Sequence, residues 1–187
     1  DLHSFPTRRS SDLAIYLLLC EGLRKEYGIE EPPVFEYGEH GKPAIVGHPE
    51  IYFNMSHCRE AAICVLSDKP VGVDIESIRR YSESLARYTM NDAELKRIEQ
   101  AERRDVEFIR LWTLKEAVLK RSGEGIRNDM KHVLDVLKDA KTIINEKKGY
   151  IYSVVSWFFI NFVAENRILK RNNIMKLDGR RESSNDS

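Results

Sequence analysis

A chain of 187 residues can bury a core of its own without disulfide or metal staples. With 42% hydrophobic and 32% charged residues it is neither a disordered nor a collagen-like chain, and no apolar run is long enough to span a bilayer as a helix. Its 30 Lys and Arg residues balance 30 Asp and Glu residues, which argues against holding nucleic acid by bulk charge but leaves room for a local basic pocket.

Three cysteines, Cys20, Cys58 and Cys64, occur without a C-x-x-C spacing. They offer neither a disulfide framework nor a zinc site and fit a reducing, cytoplasmic setting. Arg8-Arg9 precedes an apolar stretch, as in an export signal, but Glu21, Arg24 and Lys25 follow at once with no small-residue cleavage site.

Residues 1–13 are rich in Ser and Arg, break abruptly at Ala14 and read as a non-native leader. Residues 14–27 predict a helix, with Leu17, Leu18, Leu19, Cys20 and Leu23 on one side and Gly28 as its stop. A short strand at 34–37 and a loop at 38–43 follow; Lys42 in that loop is either an exposed turn lysine or a point charge for a phosphate. Residues 51–54 predict a strand that Met55-Ser56-His57 leaves. Ser56 and His57 do not make a hydrolase dyad, because adjacent side chains diverge and no G-x-S-x-G elbow is present. The continuous apolar run 61–66 predicts a strand that Ser67-Asp68-Lys69-Pro70 turns back into a hairpin with 71–76.

Residues 77–88 predict a helical segment whose Ile78, Tyr81, Leu85 and Tyr88 suit a core more often than an interface. Asn91 and Glu94 have the spacing of a capping box, and a solvated Glu/Arg-rich run leads to Arg104. A helix over 105–121 is stopped by Gly123 and Gly125. Strands at 133–137, 142–145 and 150–155, with a turn at 145–149, close a sheet, and the polar stretch 168–187 reads as disordered.

The chemistry gathers in two stretches. In Gly72-Val73-Asp74-Ile75-Glu76, strand alternation sends Asp74 and Glu76 to one face, roughly 7 Å apart at Cα. In the 105–121 helix, Phe108, Trp112 and Leu119 form an apolar stripe that contains Glu116, with Lys120 one turn further. A D-x-E on a solvated sheet face and an i,i+4 Glu–Lys surface pair are the bland alternatives. The position of Glu116 among apolar residues speaks against them, because a carboxylate there needs compensation. Three carboxylates and a lysine are candidates for a common site for a hard divalent ion. Lys115 lies off the stripe, as a structural or phosphate-facing residue.

G-V-D-I-E followed by W-T-L-K-E-A-V-L-K resembles the signature pair of 4′-phosphopantetheinyl transferases of the surfactin-synthetase-activating type. Gly41-Lys42-Pro43, Phe53-Asn54-Met55-Ser56-His57 and Ser122-Gly123-Glu124-Gly125-Ile126 resemble the same family, so the likeness covers about residues 14–130. It implies an α+β fold: two similar α/β subdomains forming a pseudo-dimer, each an antiparallel sheet packed with a long helix. Residues 14–69 would be an N-terminal subdomain, incomplete because the family carries an opening strand with basic residues there. Residues 70–165 would be a C-terminal subdomain with the metal site, and 166–187 a disordered tail.

The implied activity is transfer of the 4′-phosphopantetheine arm of coenzyme A to a serine of an acyl or peptidyl carrier protein. Mg²⁺ assists, and adenosine 3′,5′-bisphosphate leaves. Asp74, Glu76 and Glu116 would be the metal ligands. Asp74, Glu116 and Lys120 would be catalytic, with Glu116, a water it orients or a metal-bound water as the base. Lys42, Pro43, Ser56, His57 and Lys120 would meet the coenzyme. A monomer acting without nucleic acid or membrane is expected. Two alternatives stay open. One is a truncated, non-catalytic relative that binds coenzyme A or carrier protein. The other is a different Mg²⁺-dependent phosphate-ester enzyme, although Gly41-Lys42 is followed by Pro43 rather than the Ser or Thr of a Walker loop.

Overall fold

The computed structural model describes residues 10–123, 130–136, 140–156, 162–167 and 178–180. Glu124, Gly125 and Ile126 of the glycine loop lie outside the described residues, as do Leu137 and residues 1–9, 168–177 and 181–187.

Helix α1 (Ser10–Tyr27) opens the fold and starts inside the stretch that reads as foreign. It lays Ile15, Leu18, Leu19 and Leu23 on one sheet face. Strands β1 (Phe35–Tyr37) and β2 (Pro43–Ile45) pair as a small antiparallel hairpin, and Phe35 tilts against Phe53 at 5.7 Å between ring centroids. Strand β3 (Tyr52–His57) runs past the expected end, so Ser56 and His57 lie within it, His57 paired with Ala62 of β4 (Ala61–Ser67).

The continuous apolar character of β4 has a plain cause. Ala62, Cys64 and Leu66 face α1, while Ala61, Ile63 and Val65 face a second sheet, so both faces are buried. That second sheet contains β5 (Val71–Ser77), and the expected β4–β5 hairpin does not form. Both edges of β4 are occupied, by β3 on one side and by a later strand, β8 (Phe162–Arg167), on the other. The chain therefore leaves at Pro70 to cover the other face of β4 instead of extending its ladder.

After β5 come α2 (Glu83–Thr89), α3 (Asp92–Gln100) and α4 (Arg104–Ser122). Ser77 still belongs to β5, and the helix expected over 77–88 shortens to begin after Ser82, whose hydroxyl accepts from the Leu85 amide. Tyr81 stacks on Phe108 at 4.8 Å, whereas Leu85 and Tyr88 are exposed. The Asn91–Glu94 capping box forms with both reciprocal bonds. Gly123 closes α4 in the left-handed region.

The strand expected at 133–137 is a 3-10 helix, Met130–Val136. Met130 and Val133, three apart, are buried against Ala117, Val118 and Leu119 of α4, a spacing that suits a three-residue turn. Strands β6 (Lys141–Asn145) and β7 (Tyr150–Ser156) then complete an antiparallel sheet of order β5-β7-β6, joined by the expected 145–149 turn. Strand β8 (Phe162–Arg167) crosses back to the first sheet, of order β3-β4-β8-β9. A short β9 (Asp178–Arg180) pairs with β8 inside the stretch expected to be disordered. The result is a mixed α+β fold of small antiparallel sheets packed with long helices.

One contact sets the position of the site. A Cβ built on Gly72 would lie 2.0 Å from the Ala117 carbonyl oxygen and 2.5 Å from the Arg121 amide nitrogen. Only glycine lets the C-terminal half of α4 rest directly on β5. The Thr113 hydroxyl meets the Ser153 hydroxyl of β7 at 2.7 Å and sets the rotation of the helix on the sheet.

Candidate functional site

Alternation along β5 sends Val73 and Ile75 into the core between the sheets and leaves Asp74 and Glu76 on the opposite face, toward α4 and β3. Asp74 is nevertheless 4% exposed. Its Oδ1 accepts from the Lys120 ammonium at 2.6 Å and from the Ser56 hydroxyl at 3.0 Å. Its Oδ2 is buried and receives no hydrogen bond. The Ser56 Oγ in turn accepts from the Lys120 Nζ at 3.1 Å and from the Ile75 amide at 3.3 Å. Asn54, two residues earlier, accepts from the Val73 amide at 2.9 Å. Two side chains of β3 thus supply the join to β5 where no backbone ladder exists.

A cavity of about 420 Å³ opens beside this joint, lined by Ser56, His57, Asp74, Glu76, Trp112 and Glu116 among others. A second, of about 310 Å³, runs along His40, Lys42, Pro43, Asn54 and Leu119. Met55, Glu116 and Lys120 line both, so the two form one groove. Every residue the sequence singled out for the site faces this groove.

Partners differ from the simplest expectation in three places. Lys120 pairs with Asp74 across the fold and not with Glu116 one turn back. The Lys42 ammonium donates to the carbonyls of Lys120 and Arg121, each at 2.8 Å. Lys115 is fully buried: its Nζ lies 2.8 Å from Glu94 and donates to the Met130 carbonyl at 2.7 Å, a structural tie between α3, α4 and the 3-10 helix.

The electrostatics follow from three carboxylates sharing one groove. Burial, then the Asp74 charge, raises the Glu116 carboxyl above the usual carboxylate range, with Lys120 opposing and Glu76 adding. Burial and Asp74 likewise raise Glu76, against Arg79, Lys120 and Trp112. In kind, the donors suit a hard divalent ion: oxygen atoms only, one of them buried and unserved. In spacing they are not a closed cage, for among the described residues no three His, Cys, Asp or Glu side chains converge as metal ligands.

Asn54 stands in the stretch Phe53–His57 with no role that the sequence alone reveals. An amide between Phe53 and Met55 carries no signal of the strand it will meet, since the join to Val73 exists only in the folded chain. Among the described residues no helix is long and apolar enough to cross a membrane.

The sequence profile of the 4′-phosphopantetheinyl transferase superfamily matches residues 70–163, half of the chain, and the chain belongs to that superfamily. It is similar to a 4′-phosphopantetheinyl transferase of Bacillus subtilis, 34% identical over 34% of this chain and 29% of the relative. The 4′-phosphopantetheinyl transferase gsp of Aneurinibacillus migulanus is 35% identical over 41% of this chain and 34% of the relative. The 4′-phosphopantetheinyl transferase AcpT of Salmonella typhi is 41% identical over 38% and 35%. The match spans about a third of the length of these curated relatives.

Proposed function

We propose that the chain transfers the 4′-phosphopantetheine arm of coenzyme A to a serine hydroxyl of an acyl or peptidyl carrier protein, with Mg²⁺, and releases adenosine 3′,5′-bisphosphate. The observation that carries this reading is the meeting of Asp74, Glu76, Glu116 and Lys120 on one groove in a member of this superfamily. The unserved buried oxygen of Asp74 supports it further.

The reaction asks for little covalent work by the protein. The serine oxygen attacks the β-phosphorus of the pyrophosphate, the bridging P–O bond breaks, and the nucleotide leaves with the electron pair. Positioning and charge neutralisation must supply the rate. Lys120, held by Asp74 and Ser56, presents a fixed ammonium to the phosphate charge. Glu116 lies on the same groove, and its raised basicity suits it, or a water it orients, to take the serine proton. Asp74, Glu76 and Glu116 would hold a magnesium ion, which when bound neutralises charge on the pyrophosphate. The second cavity, beside Pro43 and His40, suits the nucleotide end, and His57 the phosphates of the coenzyme. The finer architecture proposed with it is a monomeric pseudo-dimer at work in the cytoplasm, α1 serving the first sheet as α4 serves the second.

Intact-mass measurement of an apo carrier protein after incubation with the chain, coenzyme A and Mg²⁺ tests the proposal. A mass gain of one phosphopantetheine arm is expected. An unchanged carrier beside phosphate-ester hydrolysis would place the chain among other phosphate-ester enzymes instead.

A further inference from the structure

Lys42 reaches from the loop between β1 and β2 across to the last turn of α4. The two carbonyls it serves, of Lys120 and Arg121, belong to the group that any α-helix leaves unpaired at its C-terminus. That end also carries the negative pole of the helix dipole, which favours an ammonium. The contact joins residues 78 and 79 positions apart, so it ties distant parts of the chain. The lysine stem lies over Gly123, where an added Cβ would meet Lys42 Cδ at 3.0 Å. Gly72 lets the same helix end rest against β5. Lys120 sits inside this grip, its carbonyl bonded to Lys42 and its ammonium to Asp74.

We propose that Lys42 is a positioning residue: it clamps the last turn of α4 through the Lys120 and Arg121 carbonyls and thereby holds the Lys120 ammonium against Asp74. A lysine ammonium has three N–H donors, and two are spent here. Moving it to a ligand phosphate would give up both of these bonds. Burial and the Arg121 charge push this ammonium down to about 8, while the two carbonyls favour its charged form and keep the clamp engaged near neutral pH. The sequence alone offers Lys42 as a turn lysine or a phosphate contact; the geometry points to a third role.

The kinetic part of the test rests on the transferase reading, and the structural part does not. Lys42→Met keeps the stem over Gly123 and removes the ammonium. In the ligand-free protein, amide hydrogen exchange at residues 121–123 should speed about tenfold while the rest of α4 is unchanged. Lys42→Arg, whose guanidinium can donate to both carbonyls, should restore most of that protection. In transfer assays Lys42→Met should lower kcat by about tenfold to a hundredfold, the cost of a misplacement on the order of 1 Å. The KM for coenzyme A, and its salt dependence, should hold within about threefold. Unchanged exchange in the last turn overturns the clamp. So does a retained kcat with a raised KM and a flattened salt dependence, the signature of a phosphate contact. If Lys42→Met does not fold, Lys42→Leu, which also lacks a donor, is read in the same way. Should the wild type transfer nothing, the exchange measurement still decides the clamp, and only the transferase reading falls.

Discussion

Replacing Gly72 by alanine adds one methyl group where there is no room for it. The new Cβ would stand 2.0 Å from the Ala117 carbonyl oxygen, 2.5 Å from the Arg121 amide nitrogen and 2.9 Å from the Arg121 Cβ. Two of these neighbours are backbone, so no side chain can swing away to relieve them. Reaching even a 3.0 Å contact requires α4 to move off β5 by at least about 1 Å at that point. Overpacking of this kind costs about 1–3 kcal/mol. For a chain of this size each kcal/mol lowers Tm by about 2–4 °C, so a fall of about 2–12 °C is expected. The helix end that moves carries Lys120, now 2.6 Å from Asp74, so transfer should fall by about a hundredfold or more. Thermal melts of the ligand-free protein beside transfer kinetics make the assay. A Gly72→Ala protein with wild-type Tm and wild-type turnover would refute the claim that close packing of α4 on β5 builds the site.

Two further outcomes follow from buried charges. Lys115→Met leaves Glu94 buried without its cation and should cost about 3–5 kcal/mol in urea unfolding, part of it regained in the Lys115→Met, Glu94→Gln double variant. Glu116 has its folded pKa raised, so its contribution to stability is fully present below the ordinary carboxylate value and is lost as pH rises through the raised one. Without Mg²⁺, Glu116→Gln should therefore gain stability over the wild type at neutral pH, an advantage that shrinks as pH falls into the acid range. Paired melts across pH check this, and an advantage that grows toward acid would contradict it.

The parts of the site carried by local pattern were legible from the sequence. Alternation put Asp74 and Glu76 on one face, and helical spacing brought Glu116 and Lys120 to the groove. The Asn91 capping box and the 145–149 turn are equally local, and both form. What could not be read depends on which distant segment arrives alongside. The run 61–66 has the composition of a buried strand, but nothing in it says that β3 and β8 take both edges and exclude β5. The stretch from Val133 could be a strand or a tight helix, and the packing of Met130 and Val133 on α4 decides between them. Lys120 could meet Glu116 along its own helix; the carboxylate of Asp74, brought 2.6 Å away by the packing at Gly72, wins instead. The pairing of Lys115 with Glu94 is likewise settled by burial, since an ammonium that loses all contact with water needs both a carboxylate and carbonyls around it.

The central claim is that the groove around Asp74 performs the transfer. The measurement that reaches it most directly is carrier-protein modification, followed by intact mass, for the wild type and Asp74→Ala side by side with coenzyme A and Mg²⁺. Circular dichroism confirms that both are folded. The wild type should convert the carrier to the phosphopantetheinylated form, and Asp74→Ala should slow conversion by about a hundredfold or more, as when a preorganised charged group is lost. Equal conversion by the two proteins would contradict the account.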